Sequence, residues 1–163
     1  MEHDAPAIFV ALEQSGFAAA IRQSSWLYPF ANIGHIVALV VFAGAVAVME
    51  LRLLGALDAM APGRLVAQAR PVAIGAFLGL AATGSLLFAA EASHIVVNPA
   101  FRLKAVLVAA GLLNVAIYEF AGHRAIASLP PGARMPRSAK LAGVVSLGIW
   151  IAVAACGRSI AYF

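Results

Sequence analysis

Two histidines, three cations and a lone cysteine are the residues of this sequence suited to chemistry inside an apolar protein. His35 stands in the stretch SSWLYPFANIGHIVALVVFAGAVAVMELRLLG, residues 24–55, and His94 follows Glu91 at the end of a second apolar run. Paired histidines in a membrane bundle serve as axial ligands of b-type haem, one imidazole nitrogen meeting the iron on each face. Arg102, Lys104 and Arg158 would then supply the cations for the haem propionates. A haem b held this way passes single electrons, for example between a periplasmic carrier and quinone. The two histidines lie on separate segments, so their spacing is not itself a motif.

Copper is the competing cofactor. His35, His94 and Cys156 offer nitrogen and sulfur donors, but Met49, Met60 and Met135 fall toward the opposite end of the helices, away from the site. A plainer reading gives the histidines no ligand: each reaches a carbonyl or water near a helix end, and Glu91 pairs with Arg102 or Lys104. His3 and His123 read as solvated or headgroup-facing. The single cysteine permits no internal disulfide and no cysteine-based zinc or iron–sulfur site. Nothing resembles a Ser/His/Asp triad, a phosphate loop or an HExxH motif, so hydrolase chemistry has no support.

The elements that would position these residues are membrane helices. Of 163 residues, 63% are hydrophobic and 11% charged, against about 45–50% and about 25% in soluble domains. A spanning helix needs about 20 mostly apolar residues, and residues 26–54, 71–93, 99–122 and 139–161 qualify. The expected fold is all-α: an integral membrane four-helix bundle, one domain over 1–163, with a short N-terminal interfacial helical segment at 5–23. That segment is too polar to span, and Ser15-Gly16 divides it. It either lies on the membrane or packs on the bundle as a cap. Ser24 and Ser25 can cap the first span, and Pro71 and Asn98-Pro99 suit the starts of the second and third. The stretch LPPGARMP is a loop. The N-terminus MEHDAPAIF has acids where a secretory signal carries basic residues, so no cleaved signal is expected.

Seven Lys and Arg residues follow the first and third spans, and four lie toward the other side. The positive-inside rule then places both termini in the periplasm of a bacterial inner membrane. The net charge of +4 sits in connections between apolar runs, a topological pattern that argues against nucleic acid as a partner. His35, His94, Lys104, Cys156 and Arg158 share an outer layer. Glu50, Arg52, Arg70, Glu119 and His123 form an inner one, where Glu50 and Arg52 could pair with Arg70, Glu119 or Arg124. His35 and Glu50 are 15 residues apart, roughly 22 Å by helical rise, so they belong to different sites. Lys104, Gly111 and Tyr118 have heptad spacing and mark the inward face of the third span, with Asn114 beside them. Gly75 and Gly79, one turn apart, suit close packing or a flat cofactor.

The blocks SSWLYP…H, MELRLLG, NPAFRLK…N and GRSIAYF resemble those of a bacterial family of small membrane proteins of unknown function, domain-of-unknown-function family 6644. The resemblance covers residues 11–163. It implies a four-helix inner-membrane protein and no established activity. By position, His35, Glu50, Arg52, Asn98, Phe101, Lys104, Asn114, Arg158 and Tyr162 fall in the recurring blocks. Glu50 replaces a family aspartate with the charge kept. The architecture is more distantly similar to copper-resistance D-type and cytochrome b membrane domains, a likeness of fold that does not carry function. The leading expectation is an electron-transfer or accessory protein rather than a stand-alone enzyme. Its partners would be the lipid bilayer, a periplasmic redox protein or quinone, and further copies of itself or a larger complex. A non-catalytic scaffold and metal handling are the alternatives.

Overall fold

Apolar side chains dominate four long helices on every side, as expected where the surrounding solvent is lipid rather than water. A computed structural model of the chain describes residues 5–121 and 126–162. His3, His123 and Arg124 lie outside the described residues. The elements are α1 (Ala7–Glu13), α2 (Gly16–Gln23), α3 (Leu27–Leu54), α4 (Pro62–Ala90), α5 (Ala92–Val97), α6 (Pro99–Ala121) and α7 (Arg137–Ser159), followed by one 3₁₀ turn, Ile160–Tyr162. The fold is all-α, and α3, α4, α6 and α7 are long and apolar enough to cross a membrane. Val40, Val72, Val106 and Ile151, one from each of these four helices, turn outward as lipid-facing side chains.

Local chemistry sets the helix ends. Ser15 Oγ accepts from Ala18 N–H at 3.2 Å and starts α2. Ser24 Oγ accepts from the N–H groups of Trp26 and Leu27 at 3.3 and 3.1 Å and starts α3. α3 ends at Gly55, whose φ of +102° is the left-handed conformation that glycine adopts without steric cost. Asn98 Oδ1 accepts from Ala100 and Phe101 N–H at 2.9 and 3.2 Å. Its amide donates to the Ile160 carbonyl at 3.2 Å, so one buried side chain both caps α6 and ties it to the end of α7.

The second span departs from expectation at both ends. α4 begins at Pro62, not Pro71, and Pro71 lies inside it. The segment 62–70 carries Arg64, Gln68 and Arg70, a polarity that reads as a loop, yet Leu65 and Val66 are buried and hold it to the bundle. Pro71 costs one helical hydrogen bond, which membrane helices tolerate when neighbours re-satisfy the carbonyl. At the other end the helix breaks at Glu91 (φ −139°, ψ 38°) and restarts as α5. The first span begins at Leu27 rather than residue 26, and the last begins at Arg137 rather than residue 139.

α1 and α2 cap the His35 end of the bundle. Glu13 accepts from both the N–H and the hydroxyl of Ser93, Arg22 donates to the Ala90 carbonyl at 2.7 Å, and Phe9 meets Phe88 edge-on. Ile8 and Phe17 stay exposed on the outside of this cap.

α3 packs along α4 on one side and α7 on the other, and α6 packs on α7. The backbones of α4 and α6, the two outer members of this series, stay apart, and their side chains meet near the capped end, where Phe88 stacks on Phe101 at 5.2 Å. The bundle is therefore open along one side. Arg70 and Glu119 bridge that opening near one end with an ion pair of 2.7 Å.

Candidate functional site: a cavity on the open side of the bundle

Four heptad steps organise the interior. His35, Phe42 and Met49 on α3, Gly84, Phe77 and Arg70 on α4, Lys104, Gly111 and Tyr118 on α6, and Gly157, Trp150 and Gly143 on α7 each recur every seventh residue, about 10 Å of rise per step. They build three layers.

In the first layer His35 Nδ1 is 2.9 Å from Thr83 Oγ1, and Thr83 donates its own proton to the Gly79 carbonyl at 2.7 Å. Nδ1 is therefore the protonated nitrogen, donating to Thr83, and Nε2 carries the lone pair. A Cβ at Gly84 would stand 3.2 Å from His35 Cε1, so glycine there lets the ring lie against α4. Lys104 is within electrostatic reach of His35 and of Cys156, and its Nζ lies against Gly157.

The structure brings Lys104 to His35 but not the rest of the expected haem set. His94 is exposed on α5, beyond the break at Glu91, and α5 packs on α1, α4 and α6. Arg102 donates to the Val96 carbonyl at 2.9 Å. Arg158 donates to Tyr162 Oη at 2.6 Å and lies over its ring at 4.7 Å. Among the described residues no group of three or more His, Cys, Asp or Glu side chains could hold a metal ion. Gly79 makes ordinary contact with Ala38, and Gly75 faces open space.

The second layer is aromatic. Phe42 and Trp150 meet edge-on at 4.7 Å, with Phe77 5.8 Å from Phe42 and 6.2 Å from Trp150. A Cβ at Gly111 would come 3.0 Å from Trp150 Cζ2, so this glycine is what allows the indole to lie against α6.

Below the aromatics lies a cavity of about 410 Å³ between α3, α4, α6 and α7. Its walls are mostly apolar, and among the described residues no histidine lines it. Ile74 and Leu78 on α4 and Leu112 and Val115 on α6 line it while remaining exposed on the outside of the bundle. These four side chains are the rim of an opening toward lipid.

The floor is polar. Glu50 is 8% exposed and Ser146 2% exposed, and both line the cavity. Ser146 stands beside the Glu50 carboxylate without completing a hydrogen bond, so Glu50 Oε2 and Ser146 Oγ have no hydrogen-bond partner among the described residues. Glu50 Oε2 lies close to α7, where a Cβ at Gly143 would come within 3.0 Å of it. Asn114 donates its amide to the Ala142 carbonyl at 3.3 Å. Tyr118 is within electrostatic reach of Glu50, Arg70 and Glu119.

Among the described residues neither Glu50 nor Arg52 forms the expected ion pair with Arg70 or Glu119, and the two, being two apart on a helix, face different ways. Arg52 is fully buried and its Nε donates to the Met60 carbonyl at 3.0 Å, closing the α3–α4 connection. Arg70 pairs with Glu119 instead, and Glu50 faces the cavity alone.

These layers draw on residues from one end of the chain to the other, and so does its family match. The chain belongs to the family of unknown function DUF6644. The family model spans residues 15–163, from the cap of α2 through the last turn, and so includes every residue of the cavity. No curated protein matches the chain, and no solved structure does. The residues of the cavity that composition alone did not single out are Phe42, Phe77, Ser146 and Trp150. The only signal for the three aromatics is a heptad register like that of Lys104, Gly111 and Tyr118, and Ser146 lies outside it.

Proposed function

We propose that this membrane protein binds a lipid-soluble small molecule, taken from the bilayer through the opening between α4 and α6. The observation that carries the reading is a cavity of about 410 Å³ that is apolar at its lips and polar at its floor. Ligand sites are commonly concave and mainly apolar, with a few placed polar groups to fix orientation. A side entrance suits a ligand that partitions into lipid, and the bilayer is its source. In the favoured orientation the Glu50 end faces the cytoplasm and both termini face the periplasm of a bacterial inner membrane.

Trp150 lines the cavity and reports on it. The only other tryptophan is Trp26, exposed at the start of α3. In a Trp26→Phe protein reconstituted with phosphatidylcholine brominated on its acyl chains, Trp150 emission is expected to be quenched. Val115→Phe narrows the rim and is expected to reduce that quenching by half or more. Unquenched Trp150 would mean that lipid-phase molecules do not reach the cavity.

A second reading, haem b and single-electron transfer at the His35 layer, is favoured by one observation. His35 uses Nδ1 toward Thr83, and that polarity leaves Nε2 as the nitrogen for iron. It needs a second axial ligand, for which His94 on α5 is the sequence candidate, and copper would draw on the same nitrogens. An absorption spectrum of detergent-purified protein from haem-replete cells is expected to show a Soret band that His35→Ala removes. A colourless folded preparation ends this reading and leaves the cavity reading standing.

A further inference from the structure

We infer that the ligand class is the organic ammonium ion: a lipid-soluble amine whose N–H groups meet Glu50 and whose apolar body extends toward Phe77 and Trp150. The inference rests on the cavity being a binding site and names what it takes. Glu50 is more than nine-tenths buried, lines the cavity, and has a carboxylate oxygen without a hydrogen-bond partner among the described residues. A carboxylate held this way costs several kcal/mol unless a cation or a set of donors meets it.

Among the described residues no cation forms an ion pair with Glu50. Arg70 is bound to Glu119 at 2.7 Å. Arg52 leaves α3 in a different direction, outside the cavity lining; its Nε donates to the Met60 carbonyl, and its two terminal nitrogens are buried with no hydrogen-bond partner among the described residues. The remaining polar atoms favour a donor-rich visitor. Asn114 commits one of its two amide N–H groups to the Ala142 carbonyl, which leaves Oδ1 as an acceptor beside one remaining N–H. The Ser146 hydroxyl beside Glu50 can accept as well as donate. An ammonium brings up to three N–H groups and the charge that the floor lacks. A quinone brings acceptors only and would need Glu50 to hold a proton.

The geometry also sets the ligand's length. Trp150 is four residues above Ser146 on α7, and Phe42 is eight residues above Glu50 on α3, so the aromatic layer lies roughly 6–12 Å of helical rise from the carboxylate. The aromatic side chains attract a cation's polarised C–H groups as well as apolar surface.

The test uses the full chain carrying Trp26→Phe, in detergent, with Trp150 quenching as the readout. The probes are 4-nitrobenzylamine, its neutral counterpart 4-nitrobenzyl alcohol, and duroquinone, with a Trp150→Phe protein as the blank. The amine is expected to bind at least tenfold more tightly than the alcohol. Glu50→Gln is expected to remove that advantage while leaving alcohol binding within twofold. Equal affinities for amine and alcohol, or an amine preference that survives Glu50→Gln, overturn the inference. Duroquinone or the alcohol binding in preference to the amine overturns it too, while supporting the cavity as a site. No saturable quenching by any probe overturns the cavity reading itself. If Glu50→Gln does not yield a monodisperse helical protein, the amine-to-alcohol ratio of the parent protein decides the matter alone. Ser146→Ala, expected to weaken the amine two- to fivefold, is then the supporting variant.

Discussion

Asn98 shows how much one side chain can hold in this protein. It is 4% exposed, and its two polar atoms serve two helices: Oδ1 caps α6 and Nδ2 reaches the Ile160 carbonyl. Asn98→Ala is expected to lower stability in detergent by about 1–3 kcal/mol, the sum of a lost cap and a lost buried bond. Asn98→Asp keeps the cap and forfeits the donation, so its thermal midpoint is expected to fall between those of Asn98→Ala and the parent. A midpoint for Asn98→Asp below that of Asn98→Ala would show that the buried charge outweighs the cap. At this scale the sequence was legible where residue type dictates a local bond. Asn98-Pro99 reads as a helix start and is one. Ser146 is different, because a serine in an apolar helix has no local signature of what it faces. His35 drew attention as a ligand, whereas its partner Thr83 did not. A threonine that returns its hydroxyl to the carbonyl four residues back looks like any other until a histidine is seen against it.

Helices come together here at glycines whose role is set by the neighbour. Gly63, in the first turn of α4, is the tightest: a Cβ there would stand 2.6 Å from the Ala127 carbonyl oxygen and 2.9 Å from its Cα. Those are backbone atoms, so no rotamer change relieves the overlap. Gly63→Ala is expected to destabilise by about 1–3 kcal/mol, measured as a lower thermal midpoint, whereas Gly75→Ala, with open space around it, is expected to change it little. The four spans were legible because apolar runs of the right length declare themselves. The beginning of α4 was not. Its first nine residues carry two arginines and a glutamine, and Pro71 imitates a start. Only the burial of Leu65 and Val66 against other elements makes the segment helical. The same limit applied to His94: the break at Glu91 moves it off the helix that was expected to carry it alongside His35.

Across the whole molecule, the arrangement α4–α3–α7–α6 leaves one side unzipped, and that gap is what turns an apolar bundle into a container. The sequence had no means of showing it. Every long helix is apolar all round, so a surface against lipid and a surface against a cavity have the same composition. The pairing Arg70–Glu119 was one of several combinations that the inner charges allowed. Among the described residues, its choice leaves Glu50 without an ion pair. Both residues of the pair are partly exposed, so the bridge adds about 1 kcal/mol or less to stability and is positioned to yield when something passes between α4 and α6.

The covering of Glu50 by α7 has a consequence for biogenesis. Gly143, the residue against its carboxylate, is synthesised 93 residues after it. While the chain is still on the ribosome, α3 and α4 can already pair, and the Glu50 side of α3 waits in the bilayer for its cover. A nascent protein halted before Arg137 is thus expected to present an uncovered acid to membrane quality control. In pulse-chase experiments that fragment should be degraded faster than the full chain, and Glu50→Leu should prolong its lifetime. Equal lifetimes for the two fragments would mean that the insertion machinery, rather than α7, shelters the acid in the interim.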